Sequence, residues 1–438
     1  MTTVRALFRS QVANLLPGCS LPNMSVRQAA IEILNRVFSD RIKAGEALES
    51  IGATFQDRDR RLLHEMVYGV LRRFYSLEAD FSRFSRVKPD PVSHIALLTG
   101  TYQLRHMRIP THAAVSETVS AVKCLQPKAA NFVNAVLRRV AESEAPKKLK
   151  PHQRMELPKW IYTEWRDAFG AEAVSEFGQA LKEPPKLSLA LFVDRESWIE
   201  TVTGMGIAAV AGELSPYAVL LPSGTDVARL PGFEEGAFTV MDQAAQASVM
   251  ALELSKPDGL ILDICAAPGG KASLLAHRFS SAKILAIELN PRRIPRLREN
   301  LDRLNCSNVT VIQADAGTLP LRNQSADAIM LDAPCSASGV LRRHPDAKFM
   351  HDSEAVERLA DVQKTLISES LRVLNPDGEM IYAVCSVHPR ENEKVIEGVS
   401  ELRAAERLLP SESHDGFFFA RIGGSASIQS ISECESHE

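Results

Sequence analysis

The stretch Gly259-Leu260-Ile261-Leu262-Asp263-Ile264-Cys265-Ala266-Ala267-Pro268-Gly269-Gly270-Lys271 decides how this chain is read. A short apolar run reaches Asp263 and Ile264, a loop of small residues follows, and Lys271-Ala272-Ser273-Leu274-Leu275-Ala276 continues at helical spacing. Strand, glycine loop and helix N-terminus in that order bring bare backbone close to a nucleotide-like ligand. The dinucleotide fingerprint G-x-G-x-x-G is not matched, so the loop alone leaves a plain structural turn open.

Downstream the pattern repeats, and each apolar run ends in a chemically capable residue. Residues 283–287 end in Glu288, 309–314 in Asp315, 326–331 in Asp332, and 378–384 in Cys385. Between them, 291–304, 354–374 and 391–402 carry helical apolar periodicity. Strands alternating with helices predict a parallel, doubly wound sheet, whose ligands bind beyond the carboxyl ends of the strands. Asp263, Glu288, Asp315, Asp332 and Cys385 should therefore converge on one site.

Upstream the chain changes character. At 438 residues it is too long for one ordinary core. Residues 25–143 read as all helix, with core-face spacing in Ala29-Ala30-x-x-Ile33-Leu34-x-x-Val37-Phe38 and in Leu62-Leu63-x-x-Met66-Val67-x-x-Val70-Leu71. Charge is divided unevenly. Residues 1–150 hold 23 Lys+Arg against 13 Asp+Glu, a net +10, which leaves −13 for the rest of a chain whose total is −3. A basic first third on an acidic body suits a nucleic-acid-binding attachment, although solvated basic helix faces would look the same.

The division expected is an extension over 1–24, a helical domain over 25–143 and a linker over 144–157. A small α+β subdomain over 158–239, the ligand-binding domain over 240–421 and a polar tail over 422–438 complete it. Met24 is a second candidate start, and Leu16-Pro17-Gly18-Cys19 resembles a lipoprotein cleavage site only faintly, lacking an apolar segment before it. No apolar run is long enough to cross a bilayer, so no membrane association is expected. Seven cysteines without a C-x-x-C pair argue against a disulfide framework or a zinc site, and for a reducing cytoplasm.

The ligand that suits the site is S-adenosylmethionine. It has no phosphate, so a backbone-lined loop can take its amino-acid end while Glu288 takes the ribose hydroxyls and Asp315 the adenine amino group. A nicotinamide dinucleotide would explain the loop and Glu288, but not two cysteines just past strand ends, Cys335 in Asp332-Ala333-Pro334-Cys335-Ser336 and Cys385 in Tyr382-Ala383-Val384-Cys385-Ser386. A single such cysteine is commonly an inert core residue. Two at the ligand edge, beside an acid and a helix start, point to a thiolate nucleophile and a covalent intermediate. Carbon 5 of cytosine is a centre that needs one: a thiolate adding at carbon 6 makes carbon 5 nucleophilic.

Two resemblances extend this reading. Residues 96–104, 109–117 and 131–139, including Asn131-Phe132-Val133-Asn134-Ala135-Val136-Leu137-Arg138-Arg139, resemble the NusB-like RNA-binding helical domain. Arg72, Arg73, Arg138 and Arg139 are candidates to meet phosphates there, or are ordinary exposed helix charges. Cys265 to Lys271, Asp332 to Ser336 and the Cys385 segment resemble the motifs of the RNA cytosine-5 methyltransferases of the NOL1/NOP2/Sun family. The resemblance implies an all-α NusB-like domain, a small α+β subdomain and a Rossmann-like class I methyltransferase domain. It also implies 16S ribosomal RNA as partner, no metal and a monomer. Cys385 would be the nucleophile, Cys335 would assist product release, and Asp332 would hold the N3 edge of the cytosine. Cys265, Ala266, Ala267, Pro268, Gly269, Gly270, Lys271, Glu288, Arg293, Asp315 and Asp332 would surround the cofactor. Cytosine-5 DNA enzymes attack with the Pro-Cys cysteine, so the swapped assignment stays open. The alternatives are an RNA-binding factor with an inactive transferase domain, against which the presence of both cysteines, Asp332 and Lys271 speaks, and an enzyme acting on another RNA. The chain departs from the family pattern with Glu288 for Asp, Ala337-Ser338 for Gly-Thr, and Ala190-Leu191-Phe192 for Arg-Val-Asn.

Overall fold

The computed structural model of the protein describes residues 24–423. Contacts divide the chain into two compact units. The first takes the chain to Pro185 with Ser336–Val356 and Leu409–Glu412, and the second takes Lys186–Cys335, Glu357–Leu408 and the chain from Ser413. Residues 1–23 of the expected extension and residues 424–438 of the expected tail lie outside the described residues.

The first unit is helical, as the periodicity predicts. Its longer helices are Val26–Asn35, Asp57–Arg72, Pro91–His106, Thr111–Leu125 and Ala130–Glu142. Ser25 caps the first through a capping box with Gln28, and Asp90 caps the third ahead of Pro91 at its first turn. Pro91–His106 is buried continuously from Val92 to Gln103, so it is the central helix. Its neighbour approaches closely at Gly69, where a Cβ would meet the Tyr102 ring at 2.0 Å, so only glycine fits.

Residues 144–157, expected as a linker, carry a single helical turn, Pro151–Arg154, and end in buried Met155, Glu156 and Leu157. The Glu156 carboxylate accepts from the Tyr75 amide at 2.9 Å. The helix Lys159–Ala180, expected with the small subdomain, belongs by its contacts to this helical unit. So does Ser336–Val356, a stretch expected within the ligand-binding domain. Its Phe349 ring lies 5.1 Å from Phe38 and 4.9 Å from Phe74, while Arg41 donates to the Phe349 and Met350 carbonyls at 2.9 and 2.6 Å. An aromatic side chain displaced in sequence thus completes the helical core.

In the second unit, β1 (Leu187–Leu191), β2 (Val210–Ala211), β3 (Ala218–Leu221) and β4 (Phe238–Val240) form an antiparallel sheet of order β2-β3-β1-β4. A larger sheet holds β5 (Leu260–Ile264), β6 (Lys283–Glu288), β7 (Val309–Gln313), β8 (Ala326–Asp332), β9 (Leu374–Val384), β10 (Leu402–Leu408) and β11 (Phe417–Gly423). Its order is β10-β11-β9-β8-β5-β6-β7, with β5 to β9 parallel, β11 antiparallel to β9, and β10 antiparallel to β11. The strand order reverses between β5 and β8, the switch point where ligands of such sheets bind. Apolar residues cover both faces, as a doubly wound sheet requires.

Two differences from the sequence reading have plain causes. Only Glu393–Ile396 of the expected helix 391–402 forms, because Gly398 takes φ +83 and turns the chain into β10. β11 runs on through Gly423 with Ile422 buried, two residues into the stretch expected as tail. Among the described residues no helix is long and apolar enough to cross a membrane.

Candidate active site

β5 ends at Ile264, and Cys265 takes a left-handed φ of 64 to start the loop. The Ala266 amide donates to the Ile287 carbonyl at 3.0 Å and the Gly269 amide to the Ala266 carbonyl at 2.8 Å, so the loop folds back on β6. Gly269, at φ +105, precedes the helix Gly270–Arg278, and a Cβ there would lie 2.9 Å from Leu297 Cδ1. The first amides of that helix have no intrahelical acceptor, which suits the helix start to an anionic group. From the next helix, Arg293 donates to the Ala267 carbonyl and Asn300 Nδ2 to that of Pro268 at 2.8 Å. Arg293 also lies 3.1 Å from Glu288 Oε2. It therefore ties the loop to the end of β6, a role the sequence reading did not separate from ligand contact.

The strand-end acids differ in their surroundings. Asp263 is fully buried, and the Ala272 amide, at the start of the following helix, faces its carboxyl. Burial pushes its carboxyl up to about 8, opposed by Lys271 and reinforced by Asp332. Glu288 is buried at the end of β6, and its Oε1 accepts from the Asn290 amide at 2.9 Å. Asp315 is exposed and accepts from the Gly317 amide at 2.8 Å. The acceptor oxygens of Glu288 and Asp315 suit a ligand that carries hydroxyl and amino donors, which is the chemistry of S-adenosylmethionine.

Lys271 bridges from the loop to β8, its ammonium 2.8 Å from Asp332 Oδ2. Burial works to lower the Lys271 pKa, but Asp332, joined by Cys385 and Asp263, more than offsets it and raises the net value. The parallel register sets Asp332 against Ala383, and the Ala333 amide continues the ladder to the Ala383 carbonyl at 2.9 Å. Both chains then leave the sheet together. Cys335 and Cys385, each half-buried, place their sulfurs 3.4 Å apart. Cys265 is different: burial pushes its thiol up to about 12, so it stays protonated. The structure thus brings together the loop, Lys271, Asp332, Cys335 and Cys385.

Two expectations change. Arg72 donates to the Arg342 carbonyl at 3.2 Å and Arg73 to the Lys182 carbonyl at 3.4 Å, so each has a protein partner and is only partly exposed. Arg138 and Arg139 are exposed. Ala190 and Leu191 are buried in β1, and the Phe192 ring stacks on His277 at 3.8 Å and 10°, so this departure from the family pattern packs the subdomain. The sequence reading missed a buried polar group under the cysteine loops, formed by Gln363, Tyr382, Ser386 and Glu391. The only signal was polar residues at positions where a strand end and a helix face should be apolar.

A parallel sheet of this order, a glycine loop at its switch point and paired strand-end thiols define a Rossmann-like methyltransferase domain. Comparison with known proteins carries this further. The family described as 16S rRNA methyltransferase RsmB/F matches residues 249–428, and the NusB family matches residues 24–142. Ribosomal RNA small subunit methyltransferase B of Vibrio vulnificus is 34% identical over 425 residues, covering 91% of this chain and 99% of that protein. Its namesake from Proteus mirabilis is 33% identical over 91% of this chain and 98% of its own length. The crystal structure of PH0851 superposes with a TM-score of 0.75 at 19% identity, covering 93% of this chain and all of that one, which establishes the shared fold. The chain belongs to the RsmB/F family of 16S rRNA methyltransferases, with a NusB domain at its N-terminal side. It is a ribosomal RNA methyltransferase.

Proposed function

We propose that the protein transfers a methyl group to carbon 5 of a cytosine in small-subunit (16S) ribosomal RNA, through a covalent bond between Cys385 and carbon 6. The observation that carries this reading is the pair of thiols 3.4 Å apart beside the Lys271–Asp332 ion pair at the strand ends. The cofactor is S-adenosylmethionine, which supplies an electrophilic methyl. Its amino-acid end would lie against the amides at Gly269–Lys271, its ribose against Glu288 and its adenine against Asp315.

The residues divide the work as follows. The target base must be unstacked to reach a strand-end site, since carbon 5 is inaccessible within a helix. The Cys385 thiolate adds to carbon 6, and the electron density pushed toward N3 is met by the Lys271–Asp332 pair at the base's pairing edge. Once carbon 5 carries its new methyl, the Cys335 thiolate takes the carbon-5 proton and becomes a thiol. The electrons of that C–H bond restore the ring double bond, and the C6–S bond breaks to release Cys385 as thiolate. Attack by Cys335 is the alternative. The NusB domain is assigned to RNA capture, and the protein to the cytoplasm as a monomer.

The test is methyl transfer from labelled cofactor to 16S RNA lacking its native modifications, followed by nucleoside analysis. Label in 5-methylcytidine is expected. Label only in another nucleoside overturns the carbon-5 assignment, and no label in any RNA favours an inactive transferase domain.

A further inference from the structure

The two cysteines sit on separate chain segments, and the β8–β9 ladder ends at Ala333 and Ala383, before either is reached. Something else must hold the loops in register. Beneath them lie Gln363, from the helix Ser353–Val373, and Glu391, both with no exposed surface. Gln363 Nε2 donates to the Pro334 carbonyl at 2.9 Å and to Glu391 Oε1 at 3.2 Å. The other oxygen, Glu391 Oε2, accepts from Ser386 Oγ at 2.5 Å, and Tyr382 Oη donates to the Glu391 carbonyl at 2.7 Å. Pro334 is the neighbour of Cys335 and Ser386 the neighbour of Cys385. A single chain of hydrogen bonds therefore runs from one cysteine loop to the other.

Chemistry fixes the polarity of this chain. Both partners of Gln363 Nε2 are acceptors, so the amide has one workable orientation. Burial, then Cys335 and Glu391, hold the Tyr382 phenol well above its ordinary range, so it remains a donor. Gln363 Oε1 has no partner among the described residues, a cost that an apolar residue at this place in the helix would avoid.

We propose that Gln363 and Glu391 are positioning residues that clamp the Cys335 loop against the Cys385 loop, so that proton removal follows methyl transfer without delay. Neither touches the substrate. The proposal rests on the reading that Cys385 attacks and Cys335 assists release.

Gln363→Met removes both donors at similar volume. Its single-turnover methyl transfer and KM for RNA should stay close to those of the unchanged protein. Steady-state kcat should fall about ten- to a hundredfold, the scale of a small misplacement of reacting groups. The RNA–protein adduct should build up on denaturing gels. In a Cys335→Ala background Gln363→Met should add no further loss. Ser386→Ala breaks the same chain from the other end and should show the same split, so it decides the matter if Gln363→Met does not fold. Equal losses in single-turnover and steady-state rates, or a full additional loss in the Cys335→Ala background, would mean a general structural role and overturn the proposal. If Cys335→Ala accumulates adduct and neither relay variant does, the clamp fails while the cysteine assignment stands. If Cys335→Ala accumulates none, the assignment itself fails, and the clamp with it.

Discussion

Cys335 and Cys385 place their sulfurs 3.4 Å apart although fifty residues separate them in sequence. At that distance one base can meet both thiols without rearrangement of the loops. The two thiols must then differ in timing, and removing each should arrest the reaction at a different point. Cys385→Ala should abolish methylation and the covalent adduct together. Cys335→Ala should accumulate an adduct that survives denaturing electrophoresis. Adduct in the Cys385 variant alone would assign attack to the Pro-Cys cysteine, and continued methylation by both variants without adduct would exclude covalent catalysis.

The second expectation concerns Glu288, buried at the end of β6 with Arg293 beside it. Glu288→Gln keeps the shape and the Asn290 contact but removes the charge that strengthens hydrogen bonds from a ribose. S-adenosylmethionine binding should weaken by about 1.5–3 kcal/mol, or roughly ten- to a hundredfold in Kd. Unchanged affinity by calorimetry would move the ribose elsewhere.

Much of this site was legible in the sequence, because strand-end positions in a doubly wound sheet follow from periodicity alone. Asp263, Glu288 and Asp332 stand at or just inside the ends of their strands as alternation of element types predicts. The antiparallel edge was not legible: β10 carries Arg403, Glu406 and Arg407 within a mostly exposed strand, so no apolar run marks it. The packing of Ser336–Val356 with the helical unit was also hidden, since it depends on Phe349 meeting Phe38 and Phe74 from about three hundred residues away. The Gln363–Glu391 contact has the same character. Local pattern carries strands and helices, while contacts between distant polar residues leave no periodic trace.

That packing predicts a stability effect separate from catalysis. Phe349 is only partly buried against the helical core, so Phe349→Ala should cost roughly 2–3 kcal/mol, less than the ~3–5 of a fully enclosed ring. Denaturant unfolding of the full chain checks it. A change within about 0.5 kcal/mol, the scale of ordinary surface substitutions, would show that the ring contributes nothing to the core.

For RNA capture, the structure separates arginines that look alike in sequence. Arg72 and Arg73 donate to protein carbonyls, whereas Arg138 and Arg139 are exposed on the last helix of the NusB domain. Replacing Arg138 and Arg139 by Glu should weaken RNA binding. It should also lower the slope of log affinity against log salt by about 0.7–0.9 for each phosphate that is no longer neutralised. An unchanged slope would place the RNA footprint elsewhere on the protein.

The last expectation follows from Asp263, the acid in the middle of the stretch that decides the fold. Burial raises its folded-state pKa to about 8, above the ordinary value of 3.8, so the folded protein holds a proton that the unfolded chain has released at neutral pH. Unfolding therefore releases a proton across that window, and stability falls as pH rises through it. The contribution is complete below about pH 4 and gone above about pH 8. Asp263→Asn cannot ionise, so its stability should lack this component. The urea midpoint of the variant should gain on that of the unchanged protein steadily from pH 5 to pH 8, whatever other groups titrate in both. Parallel profiles for the two proteins would mean that Asp263 is ionised in the fold, with Lys271 outweighing its burial.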